Sequence, residues 1–394
     1  MYNELAIFAV FVFFYSIVAG RVERAAASGP IVFVFAGLIM GPYGLAWFDG
    51  DVSKGWLRIL ADLTLATILF IDAANADLDI LKKHVKIPSR MLLLGLPVTI
   101  TLGTIAALLL FDQLTIYQAA ILGTMLAATD AALGKAVITN PSVPPRVREG
   151  LNVESGLNDG LCVPVLLLFI ALALGGQEGS GSSMAAMLVA EELGIGLAVG
   201  LVLAGVGYLC LRWCHEHGWV TDIWVQITPV ALAISCFAVA QSLHGSGYIA
   251  AFCGGLLFGF MSKETHKLVH PAEGIGETLA LLTWFIFGAA VIGQSFDQFT
   301  WEMLVYALLS LTLIRMLPIY LSLTGTGERP SAKLFLGWFG PRGLASIVFA
   351  LIVINKGVPE ARFMAMVVVL TVFFSLIAHG ISANPLARRI GKSE

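Results

Sequence analysis

Charge is scarce in this sequence. Asp, Glu, Lys and Arg together make up 12% of its 394 residues, about half the share of a soluble domain. No stretch is polar enough and long enough to fold alone as a soluble domain. The five cysteines, Cys162, Cys210, Cys214, Cys236 and Cys253, lie in or beside apolar runs. They read as small buried hydrophobes and not as a disulfide framework. The first apolar segment has no basic stretch ahead of it and no small-residue cleavage site behind it, so it is expected to be a true span. The spans hold no nucleophile–base set, no metal-ligand set and no filter-like repeat, which argues against an embedded enzyme or a channel. No cofactor and no nucleic-acid partner is expected; the surroundings are membrane lipid.

What is present is hydrophobic length. Apolar residues make up 58% of the chain, and windows of about 20 such residues mark membrane spans. Thirteen windows are predicted: 4–20, 30–47, 57–78, 89–111, 116–138, 146–174, 186–212, 220–242, 246–261, 274–294, 301–323, 333–354 and 362–384. Window 246–261 is short and glycine-rich, and 146–174 begins polar. Alternate loops and the C-terminal tail collect sixteen basic residues, against four in the other loops. That asymmetry predicts an outside N-terminus and a cytoplasmic C-terminus, in what we expect to be a bacterial inner membrane. The flexible stretch Gly175–Ser183 falls near the middle. The expected fold is therefore all-helical and integral to the membrane, with two inverted six-helix repeats, 1–174 and 220–394, joined by a linker helix in 175–219. Each repeat has an interrupted fifth span: Ala127-Ala-Thr-Asp130 in the first and Gly337-Trp-Phe-Gly-Pro-Arg-Gly343 in the second. Paired broken helices, crossing near the midplane, point to a transporter's binding site.

Charges inside spans concentrate around those breaks. A carboxylate there costs roughly 2.5–3.5 kcal/mol on insertion scales, so each must be paired, hydrated or used. Ser155 and Asp159 share one helix face at a spacing of four, and Glu154 and Asn158 share the next. Asp159 with Ser155 offers the oxygen ligands a hard monovalent cation prefers. Thr129 and Asp130 sit at the first break, where unwound carbonyls are free to coordinate and Asp130 can neutralise a helix N-terminus. Arg315 needs a buried partner, and Glu154 with Asn158 beside it is the best candidate. Three residues keep two readings each. Asp72 either lines the ion path or belongs to a polar span end with Asp77 and Asp79. Lys135 either balances a helix end or snorkels to the interface. Arg342 either neutralises half-helix carbonyls in the second repeat or faces a cytoplasmic funnel. His244, His266, His270 and His379 carry no assigned role.

Taken together, Thr129-Asp130, Glu154-Ser-x-x-Asn158-Asp159, Arg315 and Gly340-x-Arg342-Gly343 resemble the monovalent cation/proton antiporters of the NhaP type. The resemblance covers nearly the whole chain. It implies a homodimer in which a core domain moves against a dimerisation domain, in the service of pH homeostasis. It implies that Asp159 holds either a proton or a cation, with sodium at Asp159, Ser155 and the Thr129 carbonyl and Asp130 assisting. It implies that Glu154 and Arg315 form a buried structural pair with Asn158 beside it. Asn ahead of Asp159 implies electroneutral exchange. One departure is Ala131, where many relatives carry proline after the Thr-Asp pair. Sodium is the expected cation, lithium a further one, and potassium/proton exchange an alternative. A sodium-coupled symporter of an organic solute is the other reading, and the extra pocket that its solute needs would mark it.

Overall fold

The computed structural model describes residues 2–24, 28–48, 54–75, 86–178, 182–262 and 265–391. Among them the chain is helical, with no strand. α1 runs Tyr2–Arg24, α2 Gly29–Met40, α3 Lys54–Asn75 and α4 Lys86–Leu110. The fifth window holds two half-helices, α5 Ile116–Met125 and α6 Ala131–Ile138. α7 is Pro145–Glu178, α8 Ser182–Glu216, α9 Asp222–Ser242, α10 Gly247–Met261 and α11 Thr265–Ile286. α12 is Trp301–Ser322, interrupted at Thr312. The twelfth window again holds two half-helices, α13 Pro330–Trp338 and α14 Leu344–Asn355. α15, Ala361–Ile390, closes the described chain.

Among the described residues, seven helices are long and apolar enough to cross a membrane: those in α1, α4, α7, α8, α11, α12 and α15. Each predicted window overlaps a helix or a pair of half-helices among the described residues, and window 30–47 runs past α2, which ends at Met40. A backbone in lipid must satisfy its polar groups internally, which leaves helices as the solution for apolar windows of this length. The expectations for Asp77 and Asp79 lie outside the described residues.

Two bundles emerge from the packing. In one, α3, α10 and α11 form the centre, with α2, α8 and α9 against them. In the other, α4, α5 and α7 pack with α12 to α15 around the breaks. Each bundle draws on both sequence halves, 1–174 and 220–394. α3, α7, α10 and α14 meet where the bundles face each other. The short α10 fits because it is glycine-rich. A side chain at Gly255 or Gly259 would run into the α3 carbonyls of Phe70 and Ala74. Small residues four apart let two backbones touch where lipid supplies no hydrophobic driving force.

Candidate functional site

The first break begins where α5 ends at Met125. Thr115 starts that half-helix with a capping box, its Oγ1 accepting from Gln118 N while Thr115 N donates to Gln118 Oε1 at 2.7 Å. Leu126 and Ala127 form a turn, and residues 128–130 are in neither helix nor strand before α6 starts. The second break runs from Phe339 to Gly343, between α13 and α14. Asp130 N–H donates to Pro341 O at 2.8 Å, so the two breaks touch through their backbones.

Broken helices leave orphan N–H groups at one end and orphan carbonyls at the other, each carrying part of a helix dipole. Two buried charges meet them here. Asp130 Oδ1 accepts from Leu133 N of its own half-helix at 3.3 Å, and Oδ2 accepts from Leu344 N, the first residue of α14, at 2.9 Å. One carboxylate thus caps the positive ends of half-helices from both breaks. Arg342 does the opposite. Its guanidinium is fully buried and donates to the carbonyls of Ala127 at 3.2 Å and Ala128 at 3.4 Å, beyond the end of α5. The Gly340 carbonyl of its own break is farther, at 3.5 Å. Arg342 was expected to act on the second repeat's carbonyls or to face a funnel. It serves chiefly the first break, because the crossing brings those carbonyls within its reach.

Two glycines make this approach possible. A side chain at Gly343 would occupy the place of the Asp130 carboxylate, and one at Gly340 would run into the Arg315 guanidinium.

α7 passes alongside both breaks. Glu154 and Arg315 are each 1% exposed and pair at 2.8 Å, Arg315 Nη1 to Glu154 Oε1. Asn158 Nδ2 lies 3.0 Å from Glu154 Oε1, 3.2 Å from Thr129 Oγ1 and 3.2 Å from Ala127 O. Its Oδ1 accepts from Cys162 Sγ. Asn158 was expected both beside the ion pair and among the cation-binding groups; its amide is beside the ion pair, where it ties α7 to the break. Thr129 Oγ1 reaches Glu154 Oε2 at 3.4 Å.

On the neighbouring face of α7, Ser155 Oγ donates to the Thr129 carbonyl at 3.1 Å. Asp159 is buried one turn on, and its Oδ1 has no hydrogen-bond partner among the described residues. The carboxylate borders a cavity of about 280 Å³ between the two bundles. Asp72, Asn75, Asp130, Glu273 and Glu277 line the same cavity. Asp72 packs against α7 at Gly156 and faces the cavity with Asp159. Lys135 forms an ion pair with Glu277 of α11 across its mouth, each side chain about half exposed. That partner was missed; Glu273 and Glu277, four apart on the polar start of α11, were its signal in the sequence. Glu273 Oε1 accepts from Asn75 Nδ2 at 2.7 Å.

A second, smaller cavity of about 130 Å³ lies at the other end of the bundle contact, by Asp62, Glu192, Tyr248 and Lys356. Tyr248 donates to Asp62 Oδ1 at 2.6 Å, and Lys356 pairs with Glu192 at 3.4 Å. Among the described residues no group of three or more His, Cys, Asp or Glu side chains is placed to hold a metal ion.

The family described as sodium/hydrogen exchanger, transmembrane, matches residues 8–389. The chain belongs to the sodium/hydrogen exchanger family. Similar proteins include a K(+)/H(+) antiporter NhaP of Alkalimonas amylolytica, 25% identical over 95% of this chain and 65% of its own length. They also include a Na(+)/H(+) antiporter of Schizosaccharomyces pombe, 23% identical over 70% of this chain and 66% of its own. The chain thus spans a little under two thirds of the length of the first of these relatives. Among solved structures, the sodium proton antiporter MjNhaP1 of Methanocaldococcus jannaschii superposes with a TM-score of 0.78 at 20% identity, covering 96% of this chain and 98% of that one. The fold is therefore shared with that antiporter, as the sequence motifs imply.

Proposed function

We propose that the chain exchanges a monovalent cation for protons across a membrane by alternating access, with Asp159 as the group that holds either one. The observation that carries this is the division of labour at the breaks. Asp130 and Arg342 are taken up by helix ends and Glu154 by Arg315. Asp159 alone of the α7 acids borders the cavity, with an oxygen that has no hydrogen-bond partner among the described residues. Ser155 and the Thr129 carbonyl supply neighbouring oxygens. A cation entering there takes up the Thr129 carbonyl oxygen that now accepts from Ser155 Oγ.

Coupling follows from electrostatics. An empty, charged Asp159 resists passage across the low-dielectric contact between the bundles, whereas a proton or a cation neutralises it. The bundle carrying the breaks therefore shifts only when loaded. On the topology that the basic loops favour, the cavity opens to the cytoplasm. Thr139, Asn152 and Glu273 line it near the helix ends that adjoin basic loops. The Lys356–Glu192 pair then joins α8 to the end of α14 on the outer side, closing that path. One carried carboxylate supports exchange of one charge for one charge, as Asn158 ahead of Asp159 implies. A homodimer, held in lipid, is the assembly this reading carries.

Relatives named for potassium and for sodium support either cation. The acid-lined cavity favours a cation over an organic solute. The test is proton flux in proteoliposomes under an imposed gradient of sodium, lithium or potassium, with the membrane potential clamped. At least one cation is expected to drive protons, with no change when the clamp is released. A chain that moves protons with none of the three, from acid to alkaline pH, contradicts the proposal.

A further inference from the structure

The second break is held by contacts that neither Asp159 nor the Glu154–Arg315 pair uses. α15 presents Ser375, His379 and Ser382 at spacings of four and three, which places them on one helix face. All three meet the segment from Trp338 to Arg342. His379 is 1% exposed, and its Nε2 lies 2.8 Å from Trp338 O. A carbonyl only accepts, so this contact is a hydrogen bond when Nε2 carries a proton. Trp338 is the last residue of α13, and its carbonyl also accepts from Gly340 N at 2.8 Å. Ser375 Oγ accepts from Arg342 N at 2.7 Å and lies 3.2 Å from His379 Nδ1. Nδ1 also lies 2.9 Å from the carbonyl of Ser375, one turn back on its own helix, so both ring nitrogens face carbonyl oxygens. Ser375 thus holds the Arg342 amide and His379 reaches the Trp338 carbonyl, so one face of α15 touches both ends of the break. The Trp338 ring stacks on the imidazole at 5.0 Å and donates through Nε1 to Ser382 Oγ at 2.9 Å.

Within the break, Gly340 N–H donates to Trp338 O at 2.8 Å. Gly340 and Gly343 have no side chains, and Pro341 has no N–H. α7 holds the first break in a comparable way, with Ser155 on the Thr129 carbonyl and Asp159 four residues on. α15 has Ser375 with His379 four residues on, a histidine where α7 has its cavity-facing acid.

We propose that His379 is a positioning residue for exchange: by bridging the second break it sets the reach of Arg342 to the Ala127 and Ala128 carbonyls and of Leu344 N–H to Asp130. This rests on the exchange reading above. The competing role is space filling, since the ring also lies 6.2 Å from Phe339. Two substitutions separate them. His379→Phe keeps the ring and loses the hydrogen bonds. His379→Gln loses the ring, and its terminal amide still donates toward Trp338 O.

The experiment reads cation-driven proton flux in proteoliposomes together with amide hydrogen exchange of residues 339–343, on wild type and both variants. Net hydrogen-bond losses of this kind amount to about a fivefold to tenfold change. His379→Phe is expected to raise the apparent KM for the cation by that factor and to speed amide exchange at 339–343. Maximal flux and melting temperature should stay near wild type. His379→Gln should remain within about twofold on both readouts. The proposal is overturned if His379→Phe matches wild type in KM and amide exchange. It is equally overturned if Gln is impaired more than Phe, or if flux falls only in proportion to lost folded protein. If wild type moves no protons with any cation, the exchange reading falls, and the amide-exchange comparison still decides whether His379 holds the break.

Discussion

Replacing Arg315 by alanine should remove a large part of the stability of the bundle that carries the breaks. Arg315 and Glu154 are each 1% exposed and meet at 2.8 Å, with no solvent to take over if one partner leaves. Truncating Arg315 strands a carboxylate that keeps only the Asn158 amide at 3.0 Å and the Thr129 hydroxyl at 3.4 Å. Breaking a buried pair by removing one member costs about 3–5 kcal/mol, most of it the desolvated charge left behind. Removing the charge as well should recover much of that loss. Glu154→Gln with Arg315→Met replaces the pair by neutral groups of similar size, and such swaps run from neutral to stabilising. The assay is thermal unfolding of purified protein in detergent, with yield of monodisperse protein as a second readout. Arg315→Ala is expected to melt well below wild type, with the double variant between them or close to wild type. An Arg315→Ala protein with wild-type yield and melting temperature would refute the reasoning. So would a double variant that loses as much as the two single changes added together, since that would mean the two residues do not interact.

Other substitutions probe the breaks and the ends of the cavity. Gly340→Ala puts a methyl group into the Arg315 guanidinium; overpacking of this kind costs about 1–3 kcal/mol, read as a lower melting temperature. Asp130→Ala removes the cap from α6 and from α14 together. At about 1 kcal/mol per cap the loss is about 2 kcal/mol, with slower exchange, whereas Asp130→Asn keeps an acceptor and should lose less on both readouts. Lys356→Ala breaks a partly exposed pair, worth less than about 1 kcal/mol. Its melting temperature should hardly move, and a large drop would mean that the pair is more than a contact between bundles.

The fold was legible because the bilayer forces it. Apolar windows of the right length have few alternatives to helices, and even the short, glycine-rich 246–261 follows the rule, since α3 packs backbone to backbone against it. The Glu154–Arg315 contact spans 161 residues of sequence and was still readable, because a buried arginine needs an acid and few acids lie within spans. The spacing of four between Glu154 and Asn158 likewise put the amide beside the carboxylate. What could not be read was how the breaks cross. That Asp130 caps α14 and that Arg342 reaches the carbonyls beyond α5 depends on two segments more than 200 residues apart passing at one point. Sequence spacing carries no signal for that. Glu277, the partner of Lys135, lies on the other bundle; two acids four apart at the start of α11 mark a polar face in the sequence but not the cation it meets. His379 was passed over because a histidine near a span end is usually interfacial; its role depends on the Trp338 carbonyl brought to it by the fold.

The central claim is that Asp159 holds the proton and the cation in turn. Its most direct test is cation-driven proton flux in proteoliposomes for wild type and Asp159→Asn, side by side at matched amounts of folded protein. Exchange by wild type and none by Asp159→Asn, with an unchanged melting temperature, is the predicted result. Cation-dependent proton flux retained by Asp159→Asn would contradict it.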